Sequence, residues 1–322
     1  MRCRRDGPCG HHRANLSFTS ERRDFTGADG VTLAADVAGD LTGPTLILLH
    51  GGGQTRHSWA GAMRALVKAG YAVINLDLRG HGDSGWSNAG DYSLESRGRD
   101  LIAVAAEVTG PLAVVGASMG GSSAIHAVTA GLALEALVLV DIVPRADKDG
   151  VARIVAFMGA NPAGFESLED AAAAVAAYNP NRSAPKNNEG LRKNLRLKKD
   201  GRLYWHWDPR LLEVGHKTER ISVEDCLDDL RRIAPIPTLL VRGANSDVVT
   251  DEGVSHLREY IPHLEVVETA GAGHMVAGDR NDPFNAAVIE FLERDIHSRA
   301  HSRAQSASNG RDAIDVAGGA LE

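Results

Sequence analysis

Four apolar residues, Leu112–Val115, run without a polar break into Gly116-Ala117-Ser118-Met119-Gly120-Gly121, and a helical pattern follows at once. That order leaves the backbone little choice. An apolar run of this length suits a strand buried on both faces. A helix starting directly after it needs a turn so tight that Ser118 is held in a strained conformation. The residues two before and two after the serine pass close to its backbone, so Gly116 and Gly120 must lack a Cβ. The serine is thereby pushed up at the carboxyl end of a sheet, at a helix N-terminus, where N–H groups and the positive dipole end gather.

The rest of the chain repeats this alternation. Arg23–Phe25 and Val31–Val37 flank the turn Ala28-Asp29-Gly30 and read as a hairpin. Thr45–Leu49, Tyr71–Leu76, Ala136–Val140, Thr238–Val241 and Leu264–Val267 read as further strands. Helical patterns are expected at Trp59–Ala69, in a segment ending over Leu101–Val108, and at Ala124–Ala130, Glu252–Tyr260 and Phe284–Leu292. Buried strands alternating with helices predict an α/β fold, a mostly parallel sheet with helices on both faces.

Residues 143–220 break the pattern. They carry helical stretches at Gly150–Met158 and Ser167–Tyr178, a polar run Asn179–Asn188 and the cluster Leu203-Tyr204-Trp205-His206-Trp207, with no strand signal. The expectation is a core of residues 19–142 and 221–296 with a helical cap, 143–220, inserted between two strands. Residues 1–18 and 297–322 read as disordered tails.

Bulk properties narrow the function classes. Of 322 residues, 43% are hydrophobic and 24% charged, which is globular composition, and the formal net charge is −7. An acidic balance argues against a nucleic-acid partner. No stretch approaches the length of a membrane span, and the arginine-rich N-terminus has no signal-type apolar run, so a cytoplasmic protein is expected. Cys3, Cys9 and Cys226 are too few and too irregular for a disulfide framework. Cys3 and Cys9 near His11 and His12 match no zinc spacing, so no metal site is expected there.

Ser118 as a nucleophile requires a base, and the base an orienting carboxylate. His274, between Gly273 and Met275 just after the last strand, is the candidate base. Asp247, in the loop after Thr238–Val241, is the candidate acid; Asp141, closing the strand Ala136–Val140, is the alternative, and Asp251 reads as a helix cap. The loop His50-Gly51-Gly52-Gly53-Gln54 can bring its backbone close to a substrate oxygen. It carries no Gly-Lys-Ser/Thr and no Gly-x-Gly-x-x-Gly, so a nucleotide site is not expected. Met119 N–H and the N–H of Gly52, or of its neighbour Gly53, are the expected oxyanion donors. Gly53, Phe157, Trp205 and Trp207 are the candidate pocket residues, with packing of the cap's own core the alternative for the three aromatics.

His50-Gly51-Gly52-Gly53, Asp77-Leu78-Arg79-Gly80-His81-Gly82-Asp83-Ser84, Gly116-Ala117-Ser118-Met119-Gly120-Gly121, Asp247 and Gly273-His274, in this order, resemble the α/β-hydrolase superfamily. The branch most similar holds small esterases, cofactor-free haloperoxidase-like enzymes and epoxide-hydrolase-like proteins. The resemblance runs over about residues 20–295. It implies an eight-stranded sheet, a helical cap after the sixth strand and no cofactor. Epoxide hydrolases of this fold carry an aspartate where this chain has Ser118, so that activity is not implied. Asp77–Ser84 reads as a structural loop rather than a source of a second catalytic histidine at His81.

The expected activity is therefore hydrolysis of a small carboxylic ester. Perhydrolysis, lactone opening or C–C bond hydrolysis would use the same three residues, and a ligand-binding protein on the same scaffold is a reading from another class. A small-molecule substrate is the expected partner, and a homo-oligomer is left open.

Overall fold

The computed structural model describes residues 18–178, 187–213, 221–274 and 282–296. Most of both tails, with Cys3, Cys9, His11 and His12, lies outside the described residues, as does most of the polar run 179–188.

The core is an eight-stranded sheet. Its strands are β1 (Glu21–Thr26), β2 (Thr32–Ala38), β3 (Thr45–Leu49), β4 (Ala72–Leu76), β5 (Leu112–Ala117), β6 (Ala136–Val140), β9 (Thr238–Gly243) and β10 (Glu265–Thr269). They lie in the order β1-β2-β4-β3-β5-β6-β9-β10. β1 pairs antiparallel with β2, and β2 antiparallel with β4; every other pairing is parallel.

Because side chains alternate along a strand, each buried strand feeds two apolar layers. In β3, Ile47 and Leu49 enter one layer, and Leu46 and Leu48 the other. The first layer is closed by α2 (Leu94–Ala105), α3 (Met119–Thr129), α6 (Leu227–Arg232) and α7 (Asp251–Tyr260). The second is closed by α1 (Ala60–Lys68) and a helix over residues 282–296, α8, through Met63, Leu66, Phe284 and Phe291. Helices therefore cover both faces, as the sequence predicts.

Two expectations need correction. Thr250, not Asp251, caps α7: its Oγ1 accepts from Gly253 N at 3.0 Å, while Asp251 is the first helical residue and pairs with Arg242 at 2.6 Å. The insertion after β6 also contains strands. Besides α4 (Lys148–Gly159) and α5 (Leu168–Tyr178), it forms a short antiparallel hairpin, β7 (Leu195–Leu197) with β8 (Leu203–Trp205). Three-residue strands leave no readable alternation, which is why the sequence did not mark them.

This insertion, the segment expected to be a cap, is tied to the core by buried polar groups. Asp208 N donates to Gly80 O at 2.9 Å, Gly82 N donates to His206 Nδ1 at 2.7 Å, and the buried Tyr92 hydroxyl donates to Asp208. Trp207, Met158, Leu211 and Tyr92 fill the seam between them. Among the described residues no helix is long and apolar enough to cross a membrane.

Candidate active site

β5 ends at Ala117 and α3 begins at Met119, so the chain turns from strand to helix on Ser118 alone. Ser118 adopts φ +45°, a conformation L-residues with side chains rarely hold. The flanking glycines are required. A Cβ on Gly116 would lie 2.6 Å from Gly121 N, and one on Gly120 would lie 2.5 Å from Leu49 O. Ser118 N donates to Val140 O at 3.0 Å, which seats the turn against the end of β6.

That seat places Asp141 beside the serine. In the parallel pairing of β5 and β6, Ala117 is opposite Val140, so Ser118 and Asp141 are the next residues of adjacent strands. Asp141 also has a positive φ, +50°, and its side chain is fully buried. Its Oδ2 lies 2.7 Å from His274 Nδ1. The loop after β10 reaches that point by crossing the end of β9 so closely that Gly243 has no room for a Cβ against the Gly273 carbonyl. A carboxylate only accepts, so the neutral imidazole carries its proton on Nδ1 and a free lone pair on Nε2. His274 is thus in the tautomer that a general base needs.

The structure does not bring Asp247 to His274. Its Oδ2 accepts from Arg153 Nε and Nη2 on α4, at 3.0 and 2.7 Å, and its side chain is 46% exposed. The loop after β9 turns back at Ser246, whose N donates to Gly243 O at 3.0 Å. That turn aims Ser246 at Asp141 and sends Asp247 outward to the cap. The acid contact therefore belongs to Asp141, the alternative in the sequence, and the expectation of Asp247 is corrected.

The glycine loop lies against the serine turn. A Cβ on Gly51 would sit 3.5 Å from Ser118 Cβ, and one on Gly52 would sit 3.2 Å from Met119 Cε. Two of its N–H groups are engaged: Gly51 N donates to Gln54 Oε1 at 3.3 Å, and Gly53 N to His81 Nε2 at 3.2 Å. Gly52 N–H and Met119 N–H have no acceptor among the described residues, the latter because the first turn of a helix supplies none. These two donors flank the serine from opposite elements, an arrangement suited to an oxyanion.

The profile of the alpha/beta hydrolase family matches residues 46–287. The chain belongs to the alpha/beta hydrolase family. It is 30% identical over 268 residues to the esterase Rv0045c of Mycobacterium tuberculosis, covering 80% of this chain and 84% of that one. It is 36% identical over 136 residues to protein phosphatase methylesterase 1 of Mus musculus, a match spanning 40% of this chain and only 35% of that protein. Among solved structures, an alpha/beta hydrolase from Novosphingobium aromaticivorans superposes with a TM-score of 0.72 at 24% identity, covering 85% of this chain and 98% of that one. The M. tuberculosis esterase superposes with a TM-score of 0.67 at 26% identity, covering 88% and 93%. The protein is an enzyme of the α/β-hydrolase fold.

In this hydrolase the glycine loop rests on buried histidines. His50 Nε2 accepts from Leu78 N at 3.0 Å, and its Nδ1 donates to Gly51 O at 2.8 Å. His81 Nε2 accepts from Gly53 N, and its Nδ1 donates to Arg79 O at 3.1 Å. Their ring centroids are 5.0 Å apart, and His206 from the cap lies 5.9 Å from His81. Burial pushes His50 down to about 4, and burial with the neighbouring His50 pushes His81 down to about 3. Burial and the other two rings hold His206 well below the usual range. The loop carrying His81 is fixed by two buried ion pairs: Arg56 to Asp77, and Arg79 to Asp100 at 2.5 and 2.7 Å. Asp77–Ser84 is structural in this sense, as the sequence suggests.

Over the loop lies Met158 of α4. A Cβ on Gly53 would meet its Cγ at 3.3 Å, and one on Gly52 its Sδ at 3.7 Å. Gly53 is therefore roofed by the cap. Trp207 is buried and stacks on Trp205 with centroids 4.9 Å apart, filling the seam. Phe157 stacks on Tyr178 at 4.4 Å and leans on Trp205 at 5.7 Å. Phe157 and Trp205 are only half-buried. Met158 and Ser246 were missed in the sequence; neither residue type carries a signal outside its tertiary setting.

Two predictions follow from this geometry. Asp141→Asn is expected to lower kcat by about 10³–10⁴, the scale of losing the orienting carboxylate. Asp247→Asn is expected to stay within about twofold of wild type, since an exposed ion pair contributes little. Parallel steady-state assays on any hydrolysed ester check both. The histidine cluster predicts acid lability. Each folded pKa lies below the unfolded 6.5, so the unfolded chain binds more protons, and stability is full above pH 6.5 and lost as pH falls toward 4. At pH 5.5, unfolding in urea should take up about three protons more from this cluster than at pH 8. Replacing His206 with Gln should remove about one of them.

Proposed function

We propose that the protein is a serine esterase acting on small carboxylic esters through an acyl-enzyme, with Ser118 as nucleophile, His274 as base and Asp141 as the orienting acid. The observation that carries this reading is the 2.7 Å contact of His274 Nδ1 with the buried Asp141 carboxylate, one strand from Ser118. The esterases among its relatives add support.

In the first half-reaction His274 Nε2 takes the Ser118 proton as Oγ attacks the ester carbonyl. Gly52 N–H and Met119 N–H receive the developing oxyanion; removing one such donor typically costs about 10²–10³ in turnover. The imidazolium that forms is stabilised by Asp141 and returns its proton to the leaving alcohol. In the second half-reaction His274 activates a water that attacks the acyl-enzyme. The thioethers of Met119 and Met158 beside Gly52 give the acyl group an apolar wall.

The test is a fluorophosphonate probe combined with p-nitrophenyl esters from acetate to decanoate. Wild type is expected to label once, at Ser118, and to turn over the shorter esters. Ser118→Ala is expected to be unlabelled and to lose about 10⁴–10⁶ in kcat. Absence of labelling on wild type would overturn the reading in favour of a ligand-binding protein on this fold.

A further inference from the structure

The Asp141 carboxylate receives three donors, and only one belongs to the base. Gly243 N donates to Oδ1 at 2.9 Å. His274 Nδ1 and Ser246 Oγ share Oδ2, at 2.7 and 2.6 Å. Ser246 is itself fixed, because Val248 N and Val249 N donate to its Oγ at 3.2 and 3.1 Å. With both lone pairs taken by N–H groups, the hydroxyl proton has one acceptor left, which is Oδ2. A fully buried carboxylate depends on such donors, since water supplies none.

We propose that Ser246 is a positioning residue of the triad: its hydroxyl holds the Asp141 carboxylate in the orientation that meets His274 and draws charge from the shared oxygen, so that it sets the basicity of His274. This rests on the reading of Ser118, His274 and Asp141 as the catalytic set. Among the described residues, the charged groups of the neighbouring elements are engaged elsewhere or exposed. Arg153 of α4 holds Asp247, Asp147 Oδ1 accepts from Gly150 N, and Arg242 bridges Asp251 and Glu268. Lys148 and Asp149 are exposed. Among the described residues, Ser246 is therefore the side chain other than His274 that hydrogen-bonds the acid.

The same loop carries the base of the cap. Asp147 N donates to Val248 O at 2.9 Å, and the first turn of α4 packs so closely at Gly150 that a Cβ has no room against the Asp247 carbonyl. One short segment, 246–248, thus contacts the triad acid on one side and the cap on the other.

The test compares Ser246→Ala and Ser246→Thr with Asp141→Asn. Rates are expressed per site labelled by the fluorophosphonate, so that loss of folded protein does not enter. With p-nitrophenyl acetate from pH 4.5 to 9, Ser246→Ala is expected to lower kcat about tenfold, the scale of one hydrogen bond to a charged group. KM should hold within about twofold, since the hydroxyl touches the acid rather than the substrate. The acidic limb of kcat/KM should rise by about half a pH unit, because Oδ2 without its donor holds more charge against the imidazolium. Ser246→Thr, which keeps the hydroxyl, should restore both. An alanine variant with kcat per labelled site and limb unchanged would overturn the proposal, whatever its Tm. Should that variant fail to fold, Ser246→Cys must move the limb the same way by less, and an unmoved limb there overturns it equally. Full activity of Asp141→Asn would instead remove the triad reading itself, and the role of Ser246 with it.

Discussion

The serine turn depends on one close approach: the backbone of Gly120 against the carbonyl of Leu49, where a Cβ would lie 2.5 Å from the oxygen. This contact lets the first turn of α3 press onto β3, and β3 in turn leads into the glycine loop. The strained φ of Ser118 is held by the surrounding packing rather than by its own preference. Loosening it would separate the serine from the donors of Gly52 and the helix N-terminus together. The same strain recurs next door: Ser118 and Asp141 both adopt positive φ at the ends of the neighbouring strands β5 and β6.

Around that turn the protein buries polar groups more freely than apolar packing alone would favour. His50, His81, Asp77, Arg79, Asp100, His206 and Asp208 are all nearly inaccessible. Buried polar groups are tolerable when they find partners, and most of these do, although His206 Nε2 has none among the described residues. Here the network spans the glycine loop, the loop Asp77–Ser84 and the cap segment after β8. The cap is therefore not merely laid over the site; its His206 and Asp208 complete the bonding of backbone groups in the core. The cost is acid sensitivity, because three of these groups are imidazoles that the fold keeps uncharged.

Much of this was legible in residues alone. Leu112–Val115 followed by Gly116-x-Ser118-x-Gly120 can hardly be read as anything but strand, turn and helix, and the location of His274 follows from its glycine neighbours after the last strand. The loop His50–Gln54 announced a close backbone approach. The acid was harder. Asp141 and Asp247 both follow sheet strands, and a sequence carries no record of which way a loop turns. The reversal at Ser246, five residues beyond Val241, the last residue of β9 paired to β6, is set by one hydrogen bond to Gly243 and by the pull of Arg153 on Asp247. The cap hairpin escaped notice for a similar reason, since three-residue strands have no period to detect.

The sequence by itself determined the alternation of strand and helix, the position of the strained serine and the glycines that allow it. These are local matters, governed by φ/ψ space and by which residues can do without a Cβ. Only the tertiary structure decided which carboxylate meets His274, which N–H groups beside Ser118 have no acceptor among the described residues, and how the aromatics of the insertion stack on one another. Those outcomes depend on contacts between residues a hundred positions apart, such as Asp141 with Ser246 and His274. Such contacts are fixed by sheet register and by competition among donors for one acceptor, and neither is written in any single stretch of chain.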